Sequence, residues 1–166
     1  MDIKKEQNSP EPSEPLKILG SEEWCALPDL ALPALKARVD SGAKTSSLHA
    51  FNIKTHKKQG IFRICFDVHP LQGDMKTVVT CSAQVKARRM VKSSSGVSER
   101  RYVIETSISL GGTLWNIEVT LTNRDAMGYR MLLGREAMEG RFLINPAESF
   151  ALGSGGLVNP RSLYPE

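Results

Sequence analysis

The sequence predicts an all-β domain, barrel or sandwich, with one short helix near its C-terminal end. Three observations carry that expectation. Apolar and polar residues alternate with period two from Phe51 onward, the spacing of half-buried strands. A Gly111-Gly112 pair sits between two such runs, where a tight hairpin turn needs residues that accept positive φ. No stretch sustains the 3.6-residue period of a long helix, and no internal repeat is present.

The elements follow in chain order. Residues 1–15 hold one Ser-Pro and two Glu-Pro steps and almost no apolar side chains, so a disordered tail is expected. Globular character starts at Leu16–Leu19. Trp24, Leu27, Leu30 and Leu32, interrupted by Pro28 and Pro33, suggest a strand or irregular lead-in. Ala34–Val39 reads as a strand that runs directly into Asp40-Ser41-Gly42-Ala43. Ile61–Val68 is the clearest alternation: Arg63, Cys65 and Asp67 are set against Ile64, Phe66 and Val68. Met75–Val85 and Arg101–Leu110 are further β-branched runs, and Leu114–Leu121 alternates after the glycine pair. Arg130–Leu133 reads as a short apolar strand, Arg135–Met138 between Gly134 and Gly140 as a helix of one or two turns, and Phe142–Ile144 as a last strand. The domain is therefore expected over 16–150, with 151–166 as a C-terminal tail.

Composition narrows the function classes. The 166 residues are 40% hydrophobic and only 6% aromatic, so Val, Ile and Leu must fill most of one core. No apolar run approaches the roughly 20 residues of a membrane-spanning helix, and Met1–Leu16 has no apolar stretch of a secretory signal. Three cysteines, Cys25, Cys65 and Cys81, lack metal-type spacing and are an odd count, which points to a reducing cytoplasm and to buried, inert thiols. Of the formal charge of +4, residues 1–16 contribute −2, which leaves +6 on the body. A mildly basic body suits an acidic partner.

Two segments can carry chemistry together. Peptide hydrolysis without a metal can use two carboxylates that share one proton: one polarises the carbonyl, the other takes a proton from water. Such a carboxylate needs a tight, rigid loop. Asp40 would supply it, Ser41 a hydroxyl able to lock the loop, Gly42 a close backbone turn, and Ala43 a small side chain beside the substrate. Leu132-Leu133-Gly134 could pack beneath and support that loop. Asp-[Ser/Thr]-Gly alone should arise by chance in roughly 5–10% of chains of this length, so the second segment decides its weight.

Together these segments resemble known proteases. Asp40-Ser41-Gly42-Ala43 is similar to the Asp-Thr-Gly-Ala signature of aspartic proteases, and Leu132-Leu133-Gly134-Arg135 to the apolar-apolar-Gly signature of retropepsins. Over Asp40–Ala50, Val91–Thr106, Ile117–Arg124 and Met131–Phe142 the chain resembles the RimB-type retropepsin-like aspartic endopeptidases, whose members often carry the label ATP-dependent zinc protease. Ser41 stands where Thr is commoner. No Gly-rich phosphate loop with Lys-Ser/Thr supports the ATP of that label. The resemblance implies a closed, six- to seven-stranded acid-protease barrel. It also implies a homodimer, because one Asp-Ser-Gly motif gives half a dyad and a two-fold axis would bring the Asp40 carboxylates together.

Other candidates are weighed on residue type. Lys86, Arg88, Arg89, Lys92, Arg100 and Arg101 flank Ser93-Ser94-Ser95-Gly96, a flap-like segment between two strands. The family's association with glutamate ligases makes an acidic, polyglutamate substrate attractive. Arg89, Ser94, Gly96, Arg101 and Arg135 are expected to contact it, with arginines gripping carboxylates by paired hydrogen bonds. An alternative for Arg135 is structural, pairing with Glu136 or Asp125, and an alternative for the basic segment is a solvated hairpin. His49, His56 and His69 do not form a zinc-binding spacing; His49 reads as a structural residue beside the loop, His56 and His69 as surface residues. Trp24 and Trp115 read as core or interface. No metal and no cofactor are expected. The basic segment lacks the interleaved aromatics of a nucleic-acid surface. The rival to a peptidase is a non-catalytic module that holds acidic peptides.

Overall fold

The computed structural model describes residues 15–123, 128–154, 157 and 159–165. The expected N-terminal tail lies outside them except for Pro15. The described residues form eleven strands and one α-helix: β1 (Lys17–Leu19), β2 (Glu22–Leu27), β3 (Leu32–Val39), β4 (Ser46–His49), β5 (Phe51–Lys58), β6 (Ile61–Val68), β7 (Val79–Lys92), β8 (Ser98–Leu110), β9 (Thr113–Thr122), β10 (Met131–Leu133), α1 (Arg135–Met138) and β11 (Phe142–Ile144).

Nine strands form one sheet in the order β2-β3-β10-β4-β9-β8-β7-β6-β5, and β1 pairs in parallel with β11. The sheet curls back on itself. Ala26 of β2 faces Ser109 of β8, joined through that single residue pair. β5, β6 and β7 continue beyond the junction, so the ladder as a whole is a large curled sheet.

Period two decides what each strand buries, because alternate side chains share a face. β6 turns Ile64, Phe66 and Val68 inward, and β2 turns in Cys25 and Leu27. With Leu35, Leu48, Ile104, Ile108, Val119, Met131 and Leu133 they build a single core. Aliphatic residues dominate it, as the low aromatic content requires. Trp24 stacks on Phe150 and Trp115 lies against Phe142, both at the core's margin.

Gly111 and Gly112 take φ of 60° and 81° and close the β8–β9 hairpin, with Leu110 opposite Thr113. That double positive φ is why the sequence needs two glycines there. The strand expected from Met75 starts instead at Val79. The Asp74 side chain accepts hydrogen bonds from the backbone N–H groups of Lys76 and Thr77 and from the Thr77 hydroxyl, which folds the preceding residues into a turn. His69, expected at the surface, is buried at 8% exposure and stacks on Phe51.

The C-terminal segment packs on the body where it is described. The Tyr164 hydroxyl donates to the Ala34 carbonyl and accepts from its N–H. The Glu23 carboxylate, with no exposed surface, accepts from the N–H groups of Gly20 and Leu152 and ties that segment to the start of β2. Among the described residues no helix is long and apolar enough to cross a membrane.

Candidate active site

β3 delivers Asp40 and β10 supports it. The two strands run in parallel with Leu133 opposite Val39, so the chain leaving β3 is held at the same level as Gly134 leaving β10. Four backbone hydrogen bonds then pin the loop: Asp40 N–H to the Leu133 carbonyl (3.0 Å), Ala43 N–H to the Asp40 carbonyl (3.3 Å), Arg135 N–H to the Ala43 carbonyl (2.7 Å) and Glu136 N–H to the Lys44 carbonyl (3.0 Å). The last two anchor the loop to the first turn of α1, whose leading N–H groups have no partner within the helix.

Side chains complete the lock. The Ser46 hydroxyl, 1% exposed, accepts from the Gly134 N–H at 3.0 Å. The Arg135 guanidinium donates to the Ser41 carbonyl at 2.9 Å and lies 3.9 Å from Glu139. Asp40 accepts from the Gly42 N–H at 3.0 Å through Oδ1. Gly134 allows no larger residue: a Cβ there would lie 2.5–2.8 Å from backbone atoms of Thr45 and Ser46. Asp40 is half-buried, while Ser41 and Gly42 are exposed. A rigidly held turn thus presents one carboxylate and its hydroxyl neighbour outward.

The basic segment forms a long ribbon of β7 and β8. Its tip is closed by hydrogen bonds from Ser93 N–H to the Val97 carbonyl and from Gly96 N–H to the Ser93 carbonyl, with Ser94 and Gly96 exposed. The arginines expected to grip substrate already hold protein groups. Arg89 makes a forked pair with Glu118 at 2.6 and 3.3 Å. That bond, with Lys86 alongside, holds the Glu118 carboxyl below its ordinary range. Arg101 is buried, 3.4 Å from the Thr120 hydroxyl and 3.6 Å from Glu99. Arg135 serves the Ser41 carbonyl and Glu139 rather than Glu136, which faces Lys44; Asp125 lies outside the described residues. Lys92 and Arg100 are exposed on the ribbon and enter no ion pair among the described residues.

The structure therefore brings Asp40, Ser41, Gly42, Ala43 and Arg135 together and places Arg89, Ser94, Gly96 and Arg101 on the ribbon, where Arg89 also attracts Glu136 of α1. His49, on β4, donates its backbone N–H to the Arg130 carbonyl. Cys25 and Cys81 have thiol pKa values pushed up to about 12, chiefly by burial, which makes them poor nucleophiles. Sequence reasoning missed Ser46 and Glu118. The signal for Ser46 was the Thr45-Ser46-Ser47 run of hydroxyls that follows the Asp40 turn. For Glu118 it was the acidic position between Ile117 and Val119 in an alternating strand, on the face that period two turns away from the core.

The family described as "Retropepsin-like aspartic endopeptidase RimB" matches residues 18–153. A Shewanella pealeana protein named "Probable alpha-L-glutamate ligase" is 56% identical over 147 residues, 89% of this chain and 32% of that protein. A protein of the same name from Desulfotalea psychrophila is 58% identical over 137 residues, 82% of this chain and 30% of its own length. The chain thus spans about a third of the length of these curated relatives. The crystal structure of a Legionella pneumophila protein of unknown function (DUF785) matches at a TM-score of 0.67 and 31% identity, covering 82% of this chain and 98% of that one.

Proposed function

We propose, because the chain belongs to the RimB-like family of retropepsin-like aspartic endopeptidases, that it is one half of a two-fold peptidase that uses Asp40 from each copy. The observation that carries this reading is the loop itself. Its backbone is fixed from β10 and α1, yet Ser41 and Gly42 face solvent beside a single carboxylate. One carboxylate cannot polarise a carbonyl and deprotonate water at once, so a second copy must complete the site. In this reading the β2–β8 junction closes the first six strands of the ladder into the family's barrel.

The surface for the second copy is the β1–β11 ladder. Ile18, Leu143 and Ile144 are 50%, 55% and 38% exposed there. This strip is continuous with the catalytic loop: Ser21, two residues beyond β1, accepts the N–H of Val39, the residue before Asp40. Placing Lys at both Ile18 and Leu143 is expected to leave the monomer folded and shift sedimentation toward monomer, with cleavage lost in parallel.

The chemistry follows. The protonated carboxyl of the pair donates to the scissile carbonyl oxygen, and the ionised one takes a proton from water as the water oxygen attacks the carbonyl carbon. As the tetrahedral intermediate collapses and the C–N bond breaks, the carboxyl that took the proton from water gives it to the leaving nitrogen, and the other carboxylate recovers a proton from the gem-diol, which restores the pair. Substrate charge is supported by the relatives' ligase name and by Lys92 and Arg100, two exposed cations of the ribbon that enter no ion pair among the described residues. A glutamate-rich peptide is the substrate class, and the free thiols Cys25, Cys65 and Cys81 suit a reducing cytoplasm.

Asp40→Asn tests the mechanism on an oligoglutamate-tailed peptide followed by mass spectrometry, with circular dichroism and sedimentation as controls. Loss of cleavage by at least about a thousandfold, with fold and dimer retained, is expected. Cleavage surviving the substitution would remove Asp40 from the mechanism. The relatives' ligase name also favours a second reading, a module that holds an acidic tail without cutting it. Binding of the peptide by the wild-type chain without product would select that reading.

A further inference from the structure

We propose that the open edge of β5 is a docking strand for an extended acidic peptide, which adds to the sheet by backbone pairing. This inference is independent of catalysis at Asp40. β5 ends the nine-strand order and, among the described residues, pairs only with β6, at the opposite end of the ladder from β2 and β3. From Lys54 to Lys58 its register with β6 is regular, so alternate N–H and C=O groups on the other side point outward, as on any edge strand.

The side chains on that edge have one sign. Residues 51–60 contain Lys54, Lys57 and Lys58 with His56 and no carboxylate. Every residue from Lys54 to Gly60 is exposed. Among the described residues no ion pair engages Lys54, Lys57 or Lys58. By period two, Lys54 and Lys58 share one face with His56, and Lys57 lies on the other. Arg63, opposite His56 on β6, adds a cation to the first face. Asp67 on β6, the nearest carboxylate, is hydrogen-bonded by Asn52 and Thr80 and attracts Lys54 at longer range, which leaves Lys57 and Lys58 as the cations that no carboxylate faces among the described residues.

Lysines on an edge deter pairing with another copy or with a neutral strand. The same lysines attract an acidic strand, because directly opposed unlike charges on paired strands are favourable. A strand whose glutamates alternate between faces would meet cations on both. The edge is also built in advance: Gln59 and Gly60, with φ of 53° and 77°, close the β5–β6 hairpin tightly. Little ordering of the protein side is then needed. Backbone pairing would supply affinity and the lysines would supply selectivity.

The test uses the full chain carrying Asp40→Asn, so that no peptide is consumed, and a fluorescein-labelled hexaglutamate. Anisotropy gives affinity, and amide exchange reports protection along β5. The combined Lys54→Glu, Lys57→Glu and Lys58→Glu variant, whose positions are all exposed, is expected to bind at least about tenfold more weakly. A hexaglutamate N-methylated at every residue keeps its charge and loses the backbone donors of both edges, and is expected to weaken similarly. The β5 amides should gain protection with the unmodified peptide only. Unchanged affinity in the triple variant would overturn the proposal, since the peptide would then bind elsewhere, the Asp40 loop included. Unchanged affinity of the N-methylated peptide would overturn it too, by showing charge attraction without strand addition. The affinities bear on this edge alone, and cleavage by the chain with Asp40 intact is read separately and decides only the peptidase reading.

Discussion

The Asp40 loop and the tip of the β7–β8 ribbon are both glycine-bearing connections, but they are held by different forces. At the Asp40 loop, backbone meets backbone. Gly134 sits so close to Thr45 and Ser46 that a methyl group would overlap them. At the ribbon tip Gly96 has φ +84° and open space around it. Below the tip, the ribbon is held by the β7–β8 backbone ladder and by surface ion pairs such as Arg89 with Glu118. Both regions are hydrogen-bonded through their backbones, but close packing fixes the loop as well, whereas the ribbon tip has only its turn conformation and the charges below it. In the proposed reading, a loop that presents a carboxylate to a second copy gains from the first kind of restraint, and a segment that moves over a substrate from the second.

Placing the same methyl group in both regions gives the largest test. Gly134→Ala is expected to lower stability by about 2–3 kcal/mol, or roughly 5–10 °C in Tm, because the backbone of Thr45 and Ser46 must move. Gly96→Ala meets only the cost of positive φ, about 1 kcal/mol. Thermal unfolding of the two variants decides it. Equal losses would erase the distinction between the regions, and a larger loss at Gly96 would reverse it.

What the sequence made legible divides along the same line. Asp40-Ser41-Gly42-Ala43 and Leu132-Leu133-Gly134-Arg135 were readable because each is a contiguous run whose residue types state their own backbone needs. The strands of the core were readable from period two, and the β8–β9 turn from its glycine pair. The ion pairs of Arg89 and Arg101 within the chain were not. Their type announces affinity for carboxylates, but whether the carboxylate belongs to a substrate or to Glu118 and Glu99 depends on strand register. Register also hid the β2–β8 junction at Ala26 and Ser109. Tyr164 reaches Ala34 across most of the chain, and one aromatic in a Pro-containing segment gives no local sign of that contact.

Ser46→Ala sharpens the comparison at a single hydrogen bond. It removes the acceptor of the buried Gly134 N–H and leaves that donor unsatisfied. A loss of about 1–2 kcal/mol is expected. Faster exchange of the Gly134 amide should accompany it, while amides at the ribbon tip keep their rates. Uniform acceleration across both regions would mean that the loop is not an independently braced unit.

The smallest effect belongs to the ribbon and depends on pH. The hydrogen bond from Arg89 is the main cause that lowers the Glu118 pKa from its usual 4.5. A carboxyl depressed in the folded state stabilises that state above its unfolded pKa, and the contribution fades as pH falls through the folded value. The wild-type chain should therefore lose stability relative to Glu118→Gln as pH drops below about 4.5, the unfolded reference. Both partners are partly exposed, with Arg89 at 43% and Glu118 at 24%, so solvent screening limits the effect to about 0.5 kcal/mol. Salt should shrink it further. Urea midpoints of the two proteins across pH 3–7 measure it. A difference that stays constant with pH would assign the pair's contribution to packing of the ribbon, and would place that region with the Asp40 loop among the parts held by shape.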